Sequence, residues 1–108
     1  MNLGYFATPY FPVDRRPHEN AAALLDRARL AREAGYEYVQ AADHHVTHDG
    51  QFFQNWATAG RLAAEFDHVA VLSLLALSHP LVVAEQVGTL GAFTDRLDVW
   101  CALGGNEA

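Results

Sequence analysis

The sequence predicts an α/β protein built on a parallel sheet, and three observations carry that prediction. Short apolar runs alternate with amphipathic stretches along the 108 residues, the pattern of successive βα units. The segments between the runs are long enough for the crossovers that parallel strands require. Polar or glycine-bearing clusters stand where the apolar runs end: Pro9-Tyr10, Asp43-His44-His45, Ser78-His79-Pro80 and Gly104-Gly105-Asn106. In parallel sheets the loops after the strands gather on one rim, and ligands bind there.

Each element has its own signal. Leu3 to Thr8 reads as the first strand. Pro9, Pro12 and Pro17 then break regular structure, which leaves Tyr10, Phe11 and Arg15-Arg16 in a loop. Asn20 is a candidate N-cap, and Ala21, Leu24, Leu25, Ala28 and Ala31 follow at helical spacing. Gly35 ends that helix by taking the left-handed conformation. Tyr36 to Ala42 is the second strand. Asn55 is the next candidate cap, with Ala59, Leu62, Ala63 and Phe66 on the buried side of the helix. Val69 to Leu77 is almost continuously apolar, with Ser73 its single hydroxyl, and reads as a third strand buried on both faces. Pro80 suits the first turn of a third helix, whose buried side is Val83, Ala84, Val87, Leu90 and Gly91. Leu97 to Leu103 is the fourth strand.

Composition narrows the function classes. The chain is 51% apolar with a net charge of −6, and its seven basic residues are all arginine. With no basic patch or basic helix available, nucleic acid and anionic membrane surfaces are disfavoured partners. No run approaches the ~20 apolar residues of a membrane span, and the N-terminus lacks the pattern of a signal peptide. Cys101 is alone, which rules out an internal disulfide and fits a reducing compartment. The expectation is one soluble, cytoplasmic domain over residues 1–108.

The residues that bear chemistry are few. Asp43-His44-His45 is the main cluster, because imidazole exchanges protons near neutral pH. Taken alone, His44 and His45 read as surface loop residues hydrogen-bonded to their neighbours, since only some loop histidines lie in sites. A metal centre on the triplet would need further ligands, since adjacent residues of an extended chain point opposite ways and no cysteines assist. His79 reads as a structural neighbour of the third helix, and Cys101 as a small core residue. Phe52, Phe53 and Trp56 read as core, with a hydrophobic substrate wall the sharper alternative. Arg15-Arg16 reads as a solvated loop. Gly104-Gly105 lacks the spacing of a phosphate-binding motif.

With these residues placed, the chain resembles the N-terminal part of the bacterial luciferase-like superfamily of flavin-dependent monooxygenases. The resemblance runs through Gly4-Tyr5-Phe6, Ala34-Gly35-Tyr36-Glu37-Tyr38-Val39, and Asp43-His44-His45-Val46-Thr47 with Gly50. It continues through His79-Pro80-Leu81-Val82-Val83-Ala84-Glu85-Gln86 with Leu90, and ends at Asp95-Arg96-Leu97-Asp98. It implies a TIM (β/α)8 barrel of which this chain holds the N-terminal half, strands one to four. It also implies an oxidoreductase that uses reduced FMN and oxygen to oxidise a small organic acceptor such as an aldehyde, with a separate flavin reductase as a partner. A deazaflavin-using branch transfers hydride instead. In that likeness His44 is the catalytic histidine, Asp43 orients it or contacts the flavin, and Val71 and Leu72 back the flavin ring. Luciferases have an arginine near the end of strand four that grips the flavin phosphate, and Leu103 stands there in this sequence.

Half a barrel leaves two open strand edges and an apolar face, and such edges pair or aggregate. The expected assembly is a homodimer or a complex with a partner chain. The competing reading of function is a non-catalytic half-barrel that pairs with itself or another subunit.

Overall fold

The computed structural model describes residues 2–47 and 49–104. Four strands form a parallel sheet: β1 (Gly4–Phe6), β3 (Tyr38–Ala41), β5 (His68–Leu74) and β6 (Arg96–Ala102), side by side in chain order. Between them run helices α1 (Pro17–Glu33), α2 (Asn55–Leu62) and α3 (Pro80–Gly91). The expected α/β class and its parallel strands are therefore present.

The register assigns each residue to a face. Val39 lies beside Val69 and Val69 beside Leu97, while Gln40 lies beside Ala70 and Ala70 beside Asp98. Side chains alternate along a strand, so these two rows face opposite ways. Val39, Ala41, Val69 and Val71 join Leu24 and Ala28 of α1, Ala59 and Leu62 of α2, and Leu90 of α3 in one buried cluster. All three helices thus cover the same face. A doubly wound sheet would divide them between two faces; one-sided winding in chain order is the progression of a barrel.

The opposite face is open. Phe6 and Trp100 are exposed on it, and Tyr38 stands between its neighbours with ring centroids 4.8 Å from His68 and 6.4 Å from Trp100. His68 Nε2 lies 2.8 Å from Asp98 Oδ2, and Arg96 Nε lies 3.4 Å from Asp98 Oδ1. The bond from His68, with help from Arg96, holds the Asp98 carboxyl below its ordinary value. This polar cluster at the N-terminal end of the sheet had no local sequence signal, because its members are about 30 residues apart.

Several expectations are corrected. The proline-rich stretch is not all loop. Its Tyr10–Pro12 forms β2, which pairs antiparallel with β4 (Gly50–Phe52) in a two-stranded sheet. Proline is tolerated there because so short a strand has little ladder to lose. Asn20 does not cap α1, which starts at Pro17, the first-turn position where a missing N–H costs nothing. Asn20 is instead fully buried, and its Nδ2 donates to Gln51 Oε1 at 3.1 Å, tying α1 to the small sheet. Asn55 is likewise inside the helix rather than its cap, and Nδ2 donates to Leu72 O at 2.9 Å.

The third apolar run ends as a strand at Leu74, and Leu75–Leu77 form a 3-10 turn. Leu72 and Leu74 are only half-buried, because the face they occupy has no covering layer. Cys101 is exposed rather than core, on the edge strand β6. Ala84 and Gly91 of α3 are also exposed, whereas Val83, Val87 and Leu90 pack inward.

Two outcomes follow. A Cβ at Gly4 would fall within the Tyr38 ring, so Gly4→Ala should cost about 1–3 kcal/mol by overpacking. Denaturant unfolding should recover most of that loss in a Gly4→Ala/Tyr38→Leu double variant. The second concerns Glu65, which accepts from Arg29 Nη2 of α1 at 3.0 Å and from Arg61 Nη1 of α2 at 3.1 Å. The Arg29 bond above all holds its carboxyl below the ordinary 4.5. A depressed carboxyl stabilises the fold above its unfolded value, and that contribution is lost as pH falls through the lower folded value. Glu65→Gln should therefore lower the thermal midpoint at pH 7 and converge with the parent once the pH has fallen below the lowered folded value of the carboxyl.

Candidate functional site at the C-terminal rim

The end of β3 is fixed by one carboxylate. Ladder pairing between β3 and β5 stops at Ala41 and Val71, so beyond them β5 pairs only with β6 and its β3 side has no strand partner. Asp43 fills that gap: its Oδ2 accepts from the Leu74 N–H at 2.9 Å. The bond ties the loop after β3 to the last residue of β5, just where β5 gives way to the 3-10 turn. Asp43 itself is buried.

The two imidazoles that follow have different surroundings. His44 is half-buried, and its ring centroid lies 5.5 Å from that of Phe52 in β4. Its carbonyl accepts from Gln54 Nε2 at 3.4 Å. His45 is more exposed, with Nε2 2.7 Å from Asp43 Oδ1. That contact is not aligned as a hydrogen bond, and Oδ1 has no donor. Val46 then takes φ 54°, a left-handed conformation that costs a β-branched residue roughly 1–3 kcal/mol. Thr47 Oγ1 donates to Gly50 O at 2.6 Å and closes the loop onto β4.

These residues border an open cleft of about 470 Å³. Asp43, His44 and His45 form one wall. Leu72, Leu74 and Leu77 form a second, and Ala102, Leu103 and Gly104 close the side toward β6. The volume lies within the range of cofactor pockets, which are mostly apolar with a few placed polar groups. A second groove, between α1 and α2, is lined by Leu24, Leu25, Phe53 and Ala57, and Arg61 is its sole charged residue.

The sequence-derived candidates divide between rim and core. Asp43, His44 and Leu72 meet at the cleft. Val71 does not: its side chain is fully buried under the helices, since it alternates with Leu72. Tyr10 is also absent from the cleft; its hydroxyl donates to Asp49 Oδ1 at 2.5 Å, and that bond raises its pKa. His79 caps α3, with Nδ1 accepting from the Leu81 N–H at 3.1 Å. Gly105 and Asn106 lie outside the described residues. Among the described residues, no three His, Cys, Asp or Glu side chains gather as a metal site. Sequence reasoning missed Leu77 and the contact between Asp43 and His45. Their i, i+2 spacing was the available signal, because such residues share a side of an extended segment.

One-sided βα winding with imidazoles at a C-terminal rim defines the class: an α/β protein on a parallel sheet, with its cleft where such folds place their chemistry. Residues 1–106 match the family model for luciferase-like monooxygenases, and the chain belongs to that family. It is similar to the crystal structure of apo-MsnO8, with a TM-score of 0.76 and 31% identity over 93% of this chain. The match covers 32% of that protein, so this chain spans about a third of its length. Comparison with curated proteins returned no match.

Removing the Asp43 carboxylate should release the end of β5. Asp43→Ala leaves the Leu74 N–H without its partner and should cost about 1–3 kcal/mol in denaturant unfolding. Hydrogen exchange should show the Leu74 amide among the most deprotected.

Proposed function

We propose that this chain forms the imidazole-bearing rim of a flavin-dependent oxidoreductase, which uses reduced FMN and oxygen to oxidise a small organic acceptor such as an aldehyde. The observation that carries the reading is the cleft itself, which joins His44 and a buried carboxylate to apolar walls at the C-terminal rim. Reduced flavin, when bound, supplies the electrons. Leu72, Leu74 and Ala102 offer the apolar surface that a planar ring requires, and Asp43, through the Leu74 N–H, holds the end of that wall in place. The half-buried His44 ring, held against Phe52, would give or take a proton at the reacting centre.

The fit covers the ring and not the phosphate. No arginine lines the cleft, and the strand-four position that luciferases fill with arginine is Leu103, which is 82% exposed. Leucine makes no charge-assisted bonds. A phosphate would be held by residues elsewhere in a complete barrel. Deazaflavin remains the alternative cofactor, with hydride transfer in place of oxygen chemistry, and a separate reductase would deliver reduced FMN. No helix among the described residues is long and apolar enough to cross a membrane.

A second reading, a non-catalytic half-barrel that pairs with itself or another subunit, draws on the open sheet face with its exposed Phe6 and Trp100. Anaerobic titration with reduced FMN, followed by tryptophan fluorescence, separates the two. The enzyme reading expects micromolar binding, with riboflavin bound about as well as FMN because no arginine among the described residues lines the cleft. His44→Ala should keep that binding while acceptor oxidation falls on the order of 10²-fold or more. No binding at millimolar flavin, together with a dimeric mass by light scattering, would leave the pairing module.

A further inference from the structure

Asp43 brings a deeply buried carboxylate to the cleft: its side chain is 4% exposed, against 38% for His45. One oxygen, Oδ2, is committed to the Leu74 N–H. The other has no hydrogen-bond donor, yet stands 2.7 Å from His45 Nε2. A buried carboxylate oxygen without a donor is costly, and the imidazole beside it can supply one by a small turn of its ring. The terminal torsion of histidine is broad, so that turn is cheap. The i, i+2 spacing sets residues 43 and 45 on one side of an extended segment and sends His44 to the other, where it meets Phe52.

We propose that Asp43 and His45 act as a carboxylate–imidazole pair, in which Asp43 positions His45 as a second proton-handling group at the mouth of the cleft. The use of that pair in flavin chemistry rests on the function proposed above; the pair itself does not. A carboxylate that accepts from Nε2–H fixes the proton on that nitrogen and leaves the Nδ1 lone pair to receive one. His44 packs on a phenyl ring and, among the described residues, has no such carboxylate. The two neighbouring histidines are thereby given different work. His44 sits on the ring-packed side, and His45 relays a proton between the cleft and solvent.

The test is Asp43→Asn in the full chain labelled with ¹⁵N-histidine. The amide oxygen can keep the Leu74 N–H, which places the amide NH2 where Oδ1 was, facing His45 Nε2. An NH2 there donates, so the imidazole must carry its proton on Nδ1, the wrong-tautomer effect of replacing a triad aspartate by asparagine. Long-range ¹⁵N–¹H correlation spectra should show His45 as Nε2–H in the parent and Nδ1–H in the variant, with His44 unchanged. Asp43→Glu should restore the parental tautomer. If the Asn variant does not fold, the parent still decides: the pair requires a His45 Nε2 proton shifted downfield and slow to exchange. An unchanged tautomer in a folded Asn variant, or a rapidly exchanging Nε2 proton in the parent, overturns the proposal. Within the flavin reading, Asp43→Asn should also lower kcat on the order of tenfold or more at constant KM. A tautomer switch without flavin binding would overturn the flavin reading and leave the pair standing.

Discussion

Every helix of this chain buries its apolar stripe against the same face of one parallel sheet, and the rest of the structure depends on that constraint. Leu24, Leu62 and Leu90 come from three different helices, yet they meet Val39, Val69 and Val71 in a single cluster. The four strands of that sheet also run the same way, so each loop that follows one of them emerges at the same end. The rim is a geometric consequence of that parallel order. One-sided burial leaves the opposite face bare, where Tyr38, Trp100 and the His68–Asp98 pair have no covering layer.

The rim is held by polar contacts that span long sequence distances. Asp43 joins β3 to the end of β5, and Asn55 reaches the Leu72 carbonyl in the same strand. Both satisfy backbone groups that the sheet ladder leaves unpaired near its C-terminal edge, and buried groups of that kind are seldom left without partners. The side chains that shape the cleft are therefore also part of what closes the sheet. A substitution at Asp43 acts on stability and on the site together. At His44, whose ring packs on Phe52 and makes no backbone hydrogen bond among the described residues, the two effects separate.

Much of this was legible in the residues. The βα alternation, the Pro80 helix start and the Asp43-His44-His45 cluster at a strand end are local patterns, and each is present in the fold. Family membership was legible too, because the motifs fall in one order along most of the chain. The misreadings have a common cause. Asn20 and Asn55 look like caps by type, but each side chain is claimed by a group distant in sequence, Gln51 for one and Leu72 for the other. The proline-rich segment looks like loop, but β4 offers it a partner nearly 40 residues downstream.

The sequence by itself determined the four parallel strands, the three helices, their order and the placement of imidazoles after the second parallel strand, since periodicity and turn residues act over a few residues. Only the tertiary structure decided which face the helices cover, that Val71 lies in the core while Leu72 borders the cleft, and that Asp43 divides its two oxygens between Leu74 and His45. Those outcomes are set by register and by contacts across tens of residues, where a shift of one position exchanges the two faces of a strand.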